Sequence, residues 1–237
     1  MVNTFPASAA TKVVNLWNSD HGLADEGNFY LATNPTVGTG IAMITSVVDD
    51  AATASSTHAQ FSPTMLIQNN WPVTDPLDHR IYLKYLRLSV ITTAPTSASD
   101  WRFAFRGDNV TSRYTSGGST IVPVNINMDS QNTSNAKIYF GALVAALPSA
   151  SGGRLLSKGI TDYALPIIGD QWLFTFGDSS MPTNILAATG IKQVTIPCGP
   201  IIIGPGQNVT YEQWGTACAA APAFEFELGY VERPAGQ

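Results

Sequence analysis

The pattern of apolar and polar positions changes character along the chain. From Phe61 onward, short apolar or alternating runs recur between clusters of Gly, Pro, Asn and Ser, which is how strands and turns of an all-β domain read. Arg80 to Ile91 is the longest run, with Ile81, Leu83 and Tyr85 on one face and Tyr82, Leu86, Leu88 and Val90 on the other. A strand apolar on both sides is expected to be covered on both sides. Trp101, Phe103 and Phe105 alternate with Arg102, Ala104 and Arg106, so one side should meet a core and the other water. Trp172, Phe174 and Phe176 repeat the alternation, and Phe224, Phe226, Leu228 and Tyr230 do so against Glu225 and Glu227.

Turn residues punctuate these runs. Ser116-Gly117-Gly118-Ser119 is expected to close a hairpin into the run Ile121 to Met128, and Gly204-Pro205-Gly206 to turn the chain into Gln207 to Trp214. Pro197 should place its run at an edge or bend. Ala136 to Leu147 can be read as a helix, but Ile138, Tyr139 and Phe140 favour a strand for its first half. Sustained helical periodicity is absent. About eight to ten strands suit two packed antiparallel sheets. The expected core includes Leu86, Leu88, Phe103, Phe105, Phe140, Trp172, Phe174, Phe224, Phe226 and Leu228.

Residues 1–60 read differently. Met1 to Asn34 has no sustained period, and Asp49 to Thr57 is a run of small polar residues that cannot bury enough surface to offset its ordering entropy. The expected division is therefore an N-terminal arm and flexible loop over 1–60 and a β-sandwich over 61–237. The arm carries Val13, Val14, Leu16, Trp17, Phe29 and Tyr30, which are expected to bury themselves against a partner chain.

Composition narrows the function. Of 237 residues, 44% are apolar and only 12% charged, with a net charge of −5. A neutral polar surface offers little charge repulsion, so other chains can approach closely. Arg102, Arg106 and Arg113 form the densest basic group, and Asp100 and Asp108 interrupt it, so nucleic acid is not the expected partner. No run of about 18 apolar residues offers a membrane helix. The start lacks the pattern of a signal peptide, which points to synthesis in a cytoplasm, with Cys198 and Cys218 as thiols.

Candidate chemistry is sparse. His21, His58 and His79 form no zinc-binding spacing, and no nucleophile elbow is present. Gly199 to Gly204 has the glycine spacing of a phosphate loop, but Pro205 replaces the needed Lys. Glu225 and Glu227 should lie about 7 Å apart on one strand face, a separation glycosidases use, although any solvated strand face shows it. Asp75 and Asp78 offer too few oxygens for Ca²⁺. Arg106-Gly107-Asp108 spells an adhesion tripeptide in what reads as a turn, and Asn109, Asn132 and Asn208 stand in glycosylation triplets. No cofactor, no metal and no enzymatic activity are expected.

Phe29 to Thr45, Arg80 to Leu88, Gly199 to Trp214 and Ala223 to Pro234 resemble, in order, structural proteins of tailed bacteriophages. The resemblance implies a jelly-roll domain serving as a capsid decoration (cement) protein or another virion component, assembled as a homotrimer on the major capsid protein. It carries over no catalytic residues. A carbohydrate- or receptor-binding module of a phage tail or fibre is the alternative, for which Trp17, Trp71 and Trp214 could supply sugar-stacking faces.

Overall fold

The computed structural model describes residues 3–4, 13–14, 19–34, 36, 38, 40–42, 63–92, 101–109, 113–145, 154–162, 166–177, 184–186, 191–215 and 223–234. The early elements are β1 (Asn3–Thr4), β2 (Val13–Val14), α1 (Ser19–Asp25), β3 (Phe29–Thr33) and β4 (Ile41–Ala42). Then come β5 (Met65–Asn69), β6 (His79–Thr92), β7 (Trp101–Asp108), β8 (Tyr114–Ile121), β9 (Val124–Asn125) and β10 (Ala136–Ala145). The remainder are β11 (Arg154–Asp162), β12 (Gln171–Phe176), β13 (Asn184–Leu186), β14 (Lys192–Cys198), β15 (Ile202–Ile203), β16 (Asn208–Gly215) and β17 (Ala223–Pro234).

Two sheets result. One runs β11-β7-β16-β5-β10-β8; the other runs β13-β14-β12-β6-β17-β3-β9, with β15 beside β6 and β4 beside β17. Among the described residues every pairing is antiparallel except that of β12 with β14. The eight strands β3, β5, β6, β7, β11, β12, β16 and β17 form two facing sets of four, β3-β17-β6-β12 and β5-β16-β7-β11. The chain changes sheet at every step between them except from β7 to β11. That connection order is a jelly roll. The hairpin β8–β10 extends one sheet beyond β5, and β13–β14 extends the other beyond β12.

Alternation places the aromatic residues between the sheets. Phe103 and Phe105 of β7 meet Phe174 of β12 edge-on at 4.8 and 5.5 Å, and Phe140 of β10 stacks on Phe226 of β17 at 4.2 Å. All ten residues expected in the core are buried. The Ala136 run is strand over Ala136–Ala145, well into the half for which a helix could also be read. Pro197 lies past the three residues of β14 that pair with β13, where its missing N–H breaks no ladder there. Gly206, at φ 71°, completes the Gly204-Pro205-Gly206 turn, and the Gln207 amide donates to the Gly204 carbonyl.

Four expectations need correction. First, β6 is not buried on both faces. Opposite β17, Leu86 pairs with Leu228 and Tyr85 with Gly229, but the next pair is Leu83 with Tyr230. Lys84 is thus an extra residue, a β-bulge that shifts the phase of the strand. Ile81 and Leu83 before it, and Leu86, Leu88 and Val90 after it, all reach the one core, leaving Tyr82, Tyr85 and Arg87 on the outer face. β5 is instead buried on both faces: Met65 and Ile67 join the core, and Leu66, pointing away from it, is equally buried, as are residues 208–213 of the neighbouring β16.

Second, the sandwich does not begin at residue 61. β3 pairs along β17, with Tyr30 opposite Tyr230. Third, Phe29 and Tyr30 are buried inside their own chain, Tyr30 within the core, so neither is available to a partner. Fourth, Gly117 and Gly118 do not close a hairpin. Both sit inside β8 at φ 87° and 62°, where its register against β10 slips between Phe140 and Leu143. The Asp49–Thr57 run, Leu16 and Trp17 lie outside the described residues; Val13 and Val14 form β2, paired with β1.

Candidate functional site

The residues with candidate chemistry are mostly engaged with one another. Glu227 accepts a 2.7 Å hydrogen bond from the Tyr85 hydroxyl and pairs with Arg87, while Glu225 accepts from the Gly38 amide. Arg87, Glu225 and Glu227 line a groove of about 240 Å³ with Thr33, Asn34, Ser89 and Phe226. Burial, then the hydrogen bond to Glu227, pushes the Tyr85 phenol well up. Both carboxylates do share a face, as the alternation requires, but each holds the fold together there.

Asp75 also turns inward. One oxygen accepts the His79 amide and lies 2.7 Å from His79 Nδ1; the other accepts the Leu77 amide at 3.2 Å. Desolvation pushes its carboxyl up, but the two amides and His79 outweigh this and hold it low. Asp78 pairs with Arg80 instead. Trp71 stacks flat on the His79 ring at 4.1 Å, so one face of its indole is already occupied. Among the described residues no three His, Cys, Asp or Glu converge as a metal site.

The Arg106-Gly107-Asp108 tripeptide is buried strand, not an exposed turn. Arg106 Nε donates to Glu212 at 2.8 Å; Asp108 pairs with Arg113 at 2.7 Å and accepts from Asn208 at 2.7 Å. Two of the three clustered arginines are thus neutralised internally, and buried Asn208 cannot carry a glycan. Glu212 is pushed up by burial, and Arg106 opposes that shift. In the stretch from Gly199, Ile203 lies in β15 against Ile81, the Ile201 carbonyl accepts the Leu83 amide, and the Gly204 amide donates to the Gln207 side chain, so the stretch is tied to β6 and to its own turn. Cys198 is a buried free thiol.

One surface departs from ordinary soluble behaviour. Between Ile121 and Asp129, exposed and half-buried residues alternate strictly, with the apolar ones outward. Val122 is 80% exposed, Val124 56%, Ile126 42% and Met128 95%. The asparagines between them point into the protein. The Asn125 amide donates to the Gly27 carbonyl at 2.8 Å and to Ser130 Oγ at 3.2 Å, and the Asn127 amide donates to the Asp25 carbonyl at 3.0 Å. Their carbonyls accept the amides of Asn127 and Asp129 in successive Asx-turns. Val124 and Asn125 pair with Leu31 and Tyr30 of β3.

The far end of this segment is pinned as well. Glu232 of β17 accepts the amides of Asn135 and Ala136, each at 3.1 Å, and the Ser134 hydroxyl. Ser134 Oγ also lies 2.6 Å from the Tyr230 hydroxyl. The outcome is a ridge of four outward apolar side chains on a hydrogen-bonded backbone, beside a groove of about 420 Å³ lined by Tyr30, Val122, Val124 and Asn132, among others. Fully burying such side chains contributes roughly 1.5–3 kcal/mol each. The carboxylates of Asp25, Glu26 and Asp129 are exposed beside it, and neither 22–34 nor 114–136 contains a Lys or Arg. The sequence shows this ridge as Val-Pro-Val-Asn-Ile-Asn-Met, which alternation alone assigns to a half-buried strand. The signal for the reverse orientation is asparagine, a turn former, at the polar positions.

No protein family, no curated protein and no solved structure matches this chain.

Proposed function

We propose that this protein is a structural component of a virus particle, a jelly-roll decoration (cement) protein that binds and stabilises a capsid shell. The observation that carries the reading is the apolar ridge at one end of a well-packed sandwich. A side chain such as Met128, 95% exposed and turned outward by the hydrogen-bonded asparagines beside it, is unfavourable in water and useful against a neighbour. The double-sheet strand order is one that capsid domains use, the phage resemblance points the same way, and the low charge density eases close assembly. The role requires binding without turnover, in the virion, after synthesis in the host cytoplasm. A trimer rests on the resemblance; the bulged β6 withdraws the two-faced strand as support for it.

Mass spectrometry and electron microscopy of purified particles test this proposal. The expected result is the protein in stoichiometric copies on the shell, with particles lacking it rupturing at lower temperature. Absence from particles, or shells equally stable without it, rejects the reading.

A further inference from the structure

The ridge also says what kind of surface it fits. We infer that Val122, Val124, Ile126 and Met128 insert into an apolar groove on a different protein, and that this groove is rimmed by Lys or Arg. The inference rests on the reading above only in expecting that protein to belong to the particle.

Three occupants compete for the ridge. A second copy would bring its own Asp25, Glu26 and Asp129 up against the same three carboxylates, with no cation from 22–34 or 114–136 to intervene. Like charges facing one another oppose that pairing. A cytoplasmic-leaflet lipid surface is anionic and recruits basic segments, whereas residues 22–34 and 114–136 carry three exposed carboxylates and no Lys or Arg. A basic-rimmed groove on another protein satisfies both features at once: it covers the apolar side chains and pairs the carboxylates around them. The hydrogen bonds from Asn125 and Asn127, with Ser134 and Glu232 at the far end, hold the ridge in shape beforehand. Little ordering entropy is then lost on docking.

The test places a photocrosslinking side chain on the ridge of the full chain (Met128→p-benzoylphenylalanine) and irradiates assembled material. The expected product is a crosslink to one other protein, at an apolar site with Lys or Arg beside it. Binding of the unmodified chain to that purified protein should weaken at least about tenfold with Ile126→Ser plus Met128→Ser. It should also weaken with Asp129→Lys and with raised salt. Both ridge positions are exposed, so the melting temperature should hold. A crosslink to a second copy, to lipid or to nothing overturns the inference, as does binding indifferent to salt and to Asp129→Lys. A protein found on particles but not crosslinked through position 128 rejects the ridge and spares the virion reading. A crosslink to a basic-rimmed protein foreign to any particle does the reverse.

Discussion

The ring of Tyr85 lies directly on Gly229, its cross-strand neighbour, so closely that a Cβ at 229 would stand 2.3 Å from Tyr85 Cε1. The absent side chain is what lets Tyr85 reach Glu227. Gly229→Ala should displace the ring, break the 2.7 Å hydrogen bond to Glu227 and cost about 1–3 kcal/mol. Urea unfolding measures the loss. Combined with Tyr85→Ala, the same substitution should cost markedly less than it does alone, because the clash is gone.

Arg106→Met should destabilise the protein by about 3–5 kcal/mol at neutral pH, since it leaves Glu212 charged and buried. Burial holds the folded Glu212 carboxyl above its unfolded value, and removing Arg106 raises it further. The folded state then binds the proton more readily than the unfolded state. The group's contribution is most favourable below about pH 4.3, the unfolded value, and is lost as pH rises through the folded one. Unfolding curves at acid and neutral pH should therefore show the variant closest to wild type in acid.

Above pH 10 the tyrosines at the foot of the ridge should govern stability. Burial, aided by the charge of Glu232 and opposed by a hydrogen bond with Asn125, pushes Tyr30 up to about 12. Tyr230 is also pushed well up, first by burial. Unfolded tyrosine ionises near 10, so the stability from these neutral phenols is complete below about pH 10 and lost as pH rises through the folded values. Phenolate absorbance should thus show a fraction of the tyrosines ionising late, together with unfolding.

Cys198 should resist thiol reagents in the native protein. Its sulfur is buried, and burial pushes the thiol up despite the Ser157 hydroxyl 3.5 Å away. The reactive thiolate is then scarce as well as shielded. Timed labelling with peptide mapping should find position 198 modified only slowly, and rapidly once denaturant opens the sandwich. Rapid native labelling there would contradict the burial of Cys198 at the end of β14.

Alternation made the sandwich legible because it is a local signal: Phe103 and Phe105, or Phe224 and Phe226, declare their face within five residues. What it could not show were features set by a distant strand. The bulge at Lys84 is one residue inserted against β17, and nothing in Arg80 to Ile91 distinguishes it from a strand apolar on both faces. β3 is five residues long, too short to stand out from an unpatterned stretch until Tyr30 meets Tyr230. The candidate site was legible in its letters and not in its direction. Val122 to Met128 alternates as a strand would, while Asn127 and Asn125 reverse it by bonding to the last residue of α1 and to the turn after it.

The position of β17 also governs the order in which the molecule can come into being. It occupies a lane inside its sheet, between β6 and β3, and supplies Glu232, the clamp on the distal end of the ridge. On the ribosome, β3 and β6 emerge long before the strand that joins them, with apolar faces and backbone edges uncovered in the meantime. Folding is therefore a late event, slow because its decisive pairings are the most remote in sequence. A chain cut anywhere ahead of residue 223 is left without the middle of a sheet. Its quality control is in this sense built into translation: an unfinished copy has neither a closed sandwich nor a fully anchored ridge to present to an assembly.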